Sequence, residues 1–432
     1  MLNEHHATAT CMDPAAPIVA GILGRTTRNA RILILGNPLA NRKDPVRVAE
    51  EMTMVDLLSH GRLEVGFVRG VPYEVSAVNS KPVLMSERMW EAIELIQKAW
   101  TTHDGPFNWE GRFFQHRQVN IWPRPYQQPH PPTWVTALTP GSAARIADNG
   151  SVLATFLTGY EGTRKIFQAY RDRLVETGRP SAADDRFAYA ALVYTGKTGA
   201  EGLEGARKLM WYIKANKVPP QFVMPPGYVP YHVRAAILRG ERSAYDFKSM
   251  SLEDLINEGI VFAGSPSTVR GQIEKFYDRV GGFGHLLLMG QAGFLEHDET
   301  VKGIRTFAEQ VKLALAGLGT GSPSASDTTT PQSQTRRPLP CRRHTETHRR
   351  AKGQGLSLEY TNRGLICWVD KGVTGGPNSL GEIRGIHRDF AGCADPRHHH
   401  KELPSNGNRS AGFRRKDKVV EYGCWRRHAW EQ

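Results

Sequence analysis

The chain has 432 residues, enough for one large α/β domain or two smaller ones, so core size sets no limit. Its formal charge of +13 is uneven: residues 319–432 hold 20 basic against 11 acidic side chains, and residues 1–318 hold 36 against 32. The body is nearly balanced, which argues against a nucleic-acid-binding role for it. Cys11 is the single cysteine of the body; Cys341, Cys367, Cys393 and Cys424 follow in the basic region. This usage argues against a disulfide framework and for a reducing, cytoplasmic setting. No apolar run of about 18 residues suggests a membrane span. The first residues lack the pattern of a signal peptide.

Glu4-His5-His6 opens the chain and, taken alone, reads as a surface pair at a frayed terminus. Pro14–Thr27 carries Ala, Ile and Leu at helical spacing. Ile32 to Leu35 is an apolar run ending at Gly36-Asn37, as a strand buried on both faces requires. Asp44 then stands as N-cap before Pro45, and Val48, Met52 and Val55 recur at helical spacing until Ser59-His60-Gly61. Leu63 to Phe67 is the next strand, with Arg69-Gly70 at its end. Two strands joined by a helix form a parallel βαβ unit, whose chemistry collects at the carboxyl ends of the strands. There the guanidinium of Arg69 can fork onto a phosphate or a carboxylate, or serve as a salt-bridged structural group.

Ser86–Trp100 predicts an amphipathic helix capped by Ser86, with Met89, Ile93, Ile96 and Trp100 on one face. A Gly-, Pro- and aromatic-rich stretch predicts a hairpin-like excursion before a strand at Trp134–Ala137. Thr139, Gly141 and Ser142 open the following helix, where free backbone N–H groups and hydroxyls suit a phosphate. A plain capped helix start is the other reading. Strands at Val152–Leu157 and Phe187–Thr195 alternate with helices at Glu161–Thr177 and Ala200–Asn216. Phe156 is placed either in the core or against a bound ring. Val218–Glu258 reads as a lid or a surface loop, with Tyr228, Tyr231 and His232 as candidate pocket residues. Ser265-Pro266 starts a helix running to Val280; Gly284–Met289 is the last strand and His297–Gly317 the last helix.

The stretch DPVRVAEEMTMVDLLSHGRLEVGFVRG, with EHH before it and FNWEGRFF and PRPYQQPHPP after it, resembles the bacterial luciferase-like flavin-dependent monooxygenases. The resemblance covers about Glu4 to Leu318 and implies a (β/α)8 TIM barrel. In that family a first strand, a first helix and a second strand precede EHH, so the barrel is expected to be truncated at its N-terminus. The resemblance implies that His5 is catalytic and faces a flavin ring, moving a proton near neutral pH. It places the flavin phosphate at Arg69, Thr139, Gly141 and Ser142, and a non-prolyl cis peptide pressing on the flavin at Gly36-Asn37. Val68 stands where luciferase itself has a cysteine. Implied chemistry is oxidation of a small organic substrate by O2 and reduced FMN delivered by a separate flavin reductase, with a homodimer among the implied assemblies and no metal. Two alternatives stay open: hydride transfer with a deazaflavin coenzyme, and a non-catalytic flavin-binding fragment.

Residues 319–432 start as a polar low-complexity linker and continue with Arg pairs and a run at His398–His400. The expectation is a disordered appendage. A nucleic-acid or membrane-surface contact is a weaker reading, and a zinc site at Cys341, His344, His348 and Cys367 the weakest, since the spacing matches no standard pattern.

Overall fold

The computed structural model describes residues 1–9, 11–215, 222, 225–239, 248–316 and 318, and the backbone of 356–361 and 364–369. Two units divide the chain, Met1–Thr329 and Thr330–Gln432.

In the first unit the elements run α1 (Ala16–Thr26), β1 (Ile32–Pro38), α2 (Pro45–Leu58), β2 (Leu63–Val68), α3 (Met85–Thr101), β3 (Phe107–Glu110), β4 (Gln115–Val119) and β5 (Thr133–Thr136). They continue with α4 (Pro140–Asn149), β6 (Val152–Phe156), α5 (Gly159–Glu176), β7 (Phe187–Thr195), α6 (Gly199–Leu209), α7 (Trp211–Lys214) and α8 (Tyr231–Leu238). Last come α9 (Leu252–Asn257), β8 (Val261–Gly264), α10 (Pro266–Val280), β9 (His285–Met289) and α11 (His297–Phe307), which runs on into a π-helical turn, Ala308–Lys312. Parallel pairing runs β1-β2-β5-β6-β7, with β8 and β9 both on β7. This is the parallel α/β barrel architecture that the resemblance implies. β7 is buried along its whole length, as a central strand must be. Leu2 bridges Ile34 on the outer edge of β1. The hairpin-like excursion is β3 and β4, paired antiparallel.

Alternation along the strands sorts the core into two layers. Ile32, Ile34, Leu63, Val65, Phe67 and Val135 pack in the large cluster with residues of α2, α3 and α5. Leu33, Leu35, Trp134, Val152, Ala154 and Ala188 form a separate cluster on the opposite face of the sheet, the barrel interior. Gly66 has no room for a side chain, because a Cβ there would lie 2.5 Å from Leu35 Cδ1.

Local signals set most helix ends. Asp44 caps α2 by accepting from the Val46 and Arg47 amides at 3.0 and 3.3 Å, and Ser265 caps α10 by accepting from Thr268 N. Ser86, expected as a cap, lies inside α3, which starts at Met85 behind a left-handed Leu84 (φ 60°) with no side-chain cap. The helix expected over Ala200–Asn216 is interrupted at Met210, giving α6 and α7. Arg62 closes the C-terminus of α1: its guanidinium donates to Gly24 O and Thr27 O at 2.8 and 3.0 Å and to Ser59 O at 2.8 Å. The Gly-Arg of the long signature is thus a helix-end clamp.

In the second unit, β10 (Leu356–Thr361) and β11 (Gly364–Val369) pair antiparallel, where the sequence reading placed no element. Both segments are rich in Leu, Ile, Val, Tyr and Trp, a composition that suits strands even over short runs. Cys341, His344, His348 and His398–His400 lie outside the described residues.

Candidate active site

The carboxyl ends of β1, β2 and β5 are neighbours, since Pro38 pairs with Val68 and Phe67 with Val135. Arg69 therefore leaves β2 beside the start of the β5–α4 connection. The Glu4–His6 segment follows Leu2, which is bridged to Ile34 on β1, so it lies past the end of the neighbouring position in the sheet.

His5 is held by polar contacts at one side of its ring. Its Nδ1 is 2.8 Å from Glu74 Oε1, its side chain is 25% exposed, and that of Glu74 is 1% exposed. A carboxylate only accepts, so Glu74 selects the tautomer with the proton on Nδ1 and leaves Nε2 able to accept. Glu74 ends a short 3-10 turn, Pro72–Glu74, immediately after Arg69-Gly70. Asn41 Nδ2 donates to its backbone carbonyl at 3.2 Å. The second carboxylate oxygen of Glu74 and Oδ1 of Asn41 are buried without a hydrogen-bond partner among the described residues.

The segment bearing His5 is anchored through Glu4. That carboxylate is buried, accepts from Arg42 Nε and a terminal nitrogen at 3.0 and 2.7 Å, and accepts from Ala16 N at 3.2 Å. Arg42 also reaches Glu51 on α2. Cys11 and Tyr212 belong to the same neighbourhood. The thiol of Cys11 donates to Asn3 O at 3.6 Å, and burial pushes its pKa up. Tyr212 is pushed up to about 12 by burial, with Cys11, Tyr73 and Glu74 adding to the shift.

The other end is open. Arg69 makes no ion pair or side-chain hydrogen bond among the described residues; its guanidinium carbon lies 3.9 Å from the centre of the Tyr228 ring. Thr139 is the N-cap residue of α4 but makes no side-chain cap bond, so its hydroxyl stays 3.4 Å from that of Ser142. A Cβ at Gly141 would meet nothing within 4 Å. In the first turn of this ten-residue helix Pro140 has no N–H and Ser142 N donates to Thr139 O at 3.2 Å, which leaves the Gly141 N–H as the donor without a partner among the described residues.

At the end of β1 the local geometry differs from the expectation. The cis peptide is Leu35–Gly36, one bond before the expected Gly36-Asn37. The register of β1 on β2 slips between Ile34 and Asn37. Strict alternation from Leu33 and Leu35 would point Asn37 into the barrel; the slip turns it to the helix side. There its Nδ2 donates to Gly66 O at 3.0 Å and lies 3.6 Å from Met52 Sδ on α2. Asn37 is fully buried; its Nδ2 ties β1 to β2, and its Oδ1 is buried without a hydrogen-bond partner among the described residues. A Cβ at Gly36 would press on Val68 Cγ1 at 2.7 Å, so that glycine serves the strand contact. Phe156 is 36% exposed at the end of β6, outside the core. Tyr231 is 84% exposed and His232 exposed; of the three lid candidates, Tyr228 alone reaches a site residue. Glu74 and Arg42 escaped the sequence reading. For Glu74 a signal existed, a carboxylate three residues into an otherwise apolar turn after Arg69-Gly70.

The rim fits a planar, phosphate-bearing group at separate points, counted among the described residues: a guanidinium without an ion pair, the free Gly141 N–H at the start of α4, and buried acceptor atoms without donors near His5. Among the described residues no group of three His, Cys, Asp or Glu is placed to hold a metal ion.

The chain belongs to the luciferase-like monooxygenase family, whose model matches residues 1–282. The oxygenase component of the flavin-dependent trigonelline monooxygenase of Acinetobacter baylyi (strain ATCC 33305 / BD413 / ADP1) is 31% identical over 197 residues, 44% of this chain and 54% of that protein. The chain spans about half the length of the curated relatives it matches at this level. Among solved structures, the oxygenating constituent of the 3,6-diketocamphane monooxygenase of Pseudomonas putida in complex with FMN aligns at a TM-score of 0.56 and 17% identity, covering 72% of this chain and 86% of that one. An F420-dependent secondary alcohol dehydrogenase aligns at 0.55 and 15%, covering 72% and 88%. At these identities the two structures share the fold with this chain.

Proposed function

We propose that the chain binds reduced FMN, delivered by a separate flavin reductase, and uses it with O2 to oxidise a small organic substrate. The observation that carries this reading is the pairing of a held imidazole, His5 on Glu74, with Arg69, which has no ion pair among the described residues and stands five residues before that carboxylate. Arg69 and the α4 N-terminus at Thr139, Gly141 and Ser142 bind the phosphate, contributing forked and backbone donors. The cofactor, when bound, supplies the electrons that activate O2. His5 Nε2, with its ring fixed through Nδ1, takes or returns a proton at the reacting end. The apolar walls around Leu33, Leu35 and Trp134 exclude water from the barrel interior below. Gly36 shapes the adjoining strand end and Asn37 holds it to β2.

The test is titration of the full chain with anaerobically reduced FMN, then admission of O2 with trigonelline or 3,6-diketocamphane, the compounds named for the relatives. Tight binding and oxygen-dependent oxidation of a substrate are expected. Turnover that proceeds without O2 and only with a deazaflavin would replace this reading with hydride transfer. Binding with no turnover across a wider panel of ketones, aldehydes and N-heterocycles would leave a flavin-binding protein without this activity.

A further inference from the structure

We propose that Tyr228 is a positioning residue for Arg69, holding the plane of its guanidinium so that the N–H edges aim at the phosphate of the bound flavin. The inference rests on the phosphate assignment above and extends it to a residue 159 positions away in sequence.

The local sequence builds the device. Pro225-Pro226-Gly227-Tyr228 is a tight turn in which Tyr228 N donates to Pro225 O at 3.2 Å and Gly227 adopts φ 84°. Proline at the second position and a left-handed glycine at the third are the requirements of a type II turn. Pro226 and Val229 bridge across it. A Cβ at Gly227 would meet Val83 Cγ2 at 2.3 Å, so the turn sits directly on the segment that leads into α3. Tyr228 itself packs on a small buried cluster of Ala40, Val75 and Met85. These residues come from the connections that follow β1 and β2 and from the start of α3. The ring is therefore fixed by the same loops that carry Asn41 and Glu74.

Against this platform the Arg69 guanidinium lies 3.9 Å from the ring centre. An aromatic face attracts a cation without consuming its N–H donors. Hydrogen bonds to carboxylates would consume them, and Arg69 has none among the described residues. The guanidinium thus sits over the ring with its N–H donors unspent among the described residues, and unspent donors are what a phosphate gripped by two parallel bonds requires. A flexible arginine would lose side-chain entropy on binding; one already stacked loses less.

The experiment compares reduced FMN with reduced riboflavin, which differ by the phosphate alone, titrated anaerobically into the full chain and four variants. Tyr228→Leu is expected to weaken FMN about five- to tenfold, as the loss of one cation–π contact implies, with riboflavin unchanged. Tyr228→Phe keeps the ring and is expected to keep the FMN preference. Gly227→Val disrupts the turn and is expected to mimic Tyr228→Leu. Arg69→Ala is expected to bring FMN down to the riboflavin level. If Arg69→Ala leaves the FMN preference intact, the phosphate assignment fails and this inference with it. If Arg69→Ala abolishes the preference but Tyr228→Leu leaves it untouched or strengthens FMN binding, the assignment stands and the role of Tyr228 is overturned. Because the readout is a ratio of two ligands on one protein, a general loss of folded material does not move it.

Discussion

His5 and Arg69 stand past the ends of sheet positions on either side of β1, yet their surroundings are opposite in kind. Around His5 the polar groups are largely committed to one another: Glu74 holds the ring, and Glu4, Arg42 and the Ala16 amide hold the backbone that carries it, with Glu74 Oε2 and Asn41 Oδ1 left as buried acceptors without a donor among the described residues. Around Arg69 and the α4 N-terminus the polar groups are left over. The difference follows from what each end does in the proposed reaction. A group that moves protons must keep one orientation through the cycle, so the fold commits long-range contacts to it. A group that captures a delivered anion must offer unspent donors, so the fold supplies one aromatic face and otherwise leaves it alone.

The contrast predicts that damage at the first end costs structure and rate, and damage at the second costs affinity. The largest effect is expected for Arg42→Ala. It takes the guanidinium from the buried Glu4 carboxylate, leaving it the Ala16 amide and the His6 ring; loss of one partner of a buried ion pair costs up to about 3–5 kcal/mol. A urea titration should show the midpoint falling sharply; a midpoint within error of the parent would mean that the His5 segment is not anchored this way. Glu74→Gln comes next. The amide can donate to Nδ1 and so favour the other tautomer, and turnover is expected to drop about 100-fold with FMN affinity little changed. The ring-nitrogen NMR shifts of His5 would report the tautomer directly. Unchanged rate with a switched tautomer would remove His5 from the proton chemistry.

How much of this was legible beforehand depends on sequence distance. The βαβ unit, the Asp44 and Ser265 caps and the strands around Trp134 and β7 are written locally, in apolar period and cap chemistry, and the structure has them. The partners of Glu4, His5 and Arg69 lie 38, 69 and 159 positions away, read from Arg42, Glu74 and Tyr228, and no periodicity marks them. Asn37 shows a subtler limit. Its side-chain direction depends on a register slip that alternation alone does not reveal. The resemblance named the rim and the arginine on which the proposed site is built. It did not carry the contacts that distinguish a held residue from a free one.

At the open end, Arg69→Ala is expected to raise the dissociation constant for FMN about 10- to 100-fold, the worth of hydrogen bonds to a charged group, while stability shifts by no more than about 0.5 kcal/mol. A large loss of stability would instead mark Arg69 as structural and erase the contrast with His5.

Gly141→Ala sharpens the comparison at its smallest scale. The added methyl meets nothing within 4 Å, so the folded chain has no steric reason to resist it. Alanine is a better helix former than glycine by up to about 1 kcal/mol, and less so in a first turn, so thermal stability should hold or rise slightly. An occupied phosphate site would reverse the sign for binding. The methyl would then stand where the ligand's oxygens approach the Gly141 N–H, and FMN affinity should fall a few-fold while riboflavin affinity does not. Opposite signs for stability and FMN binding from a single methyl are what a ligand-directed helix start requires. A variant that binds FMN as the parent does would return Thr139, Gly141 and Ser142 to the status of an ordinary helix start and leave Arg69 to hold the phosphate without them.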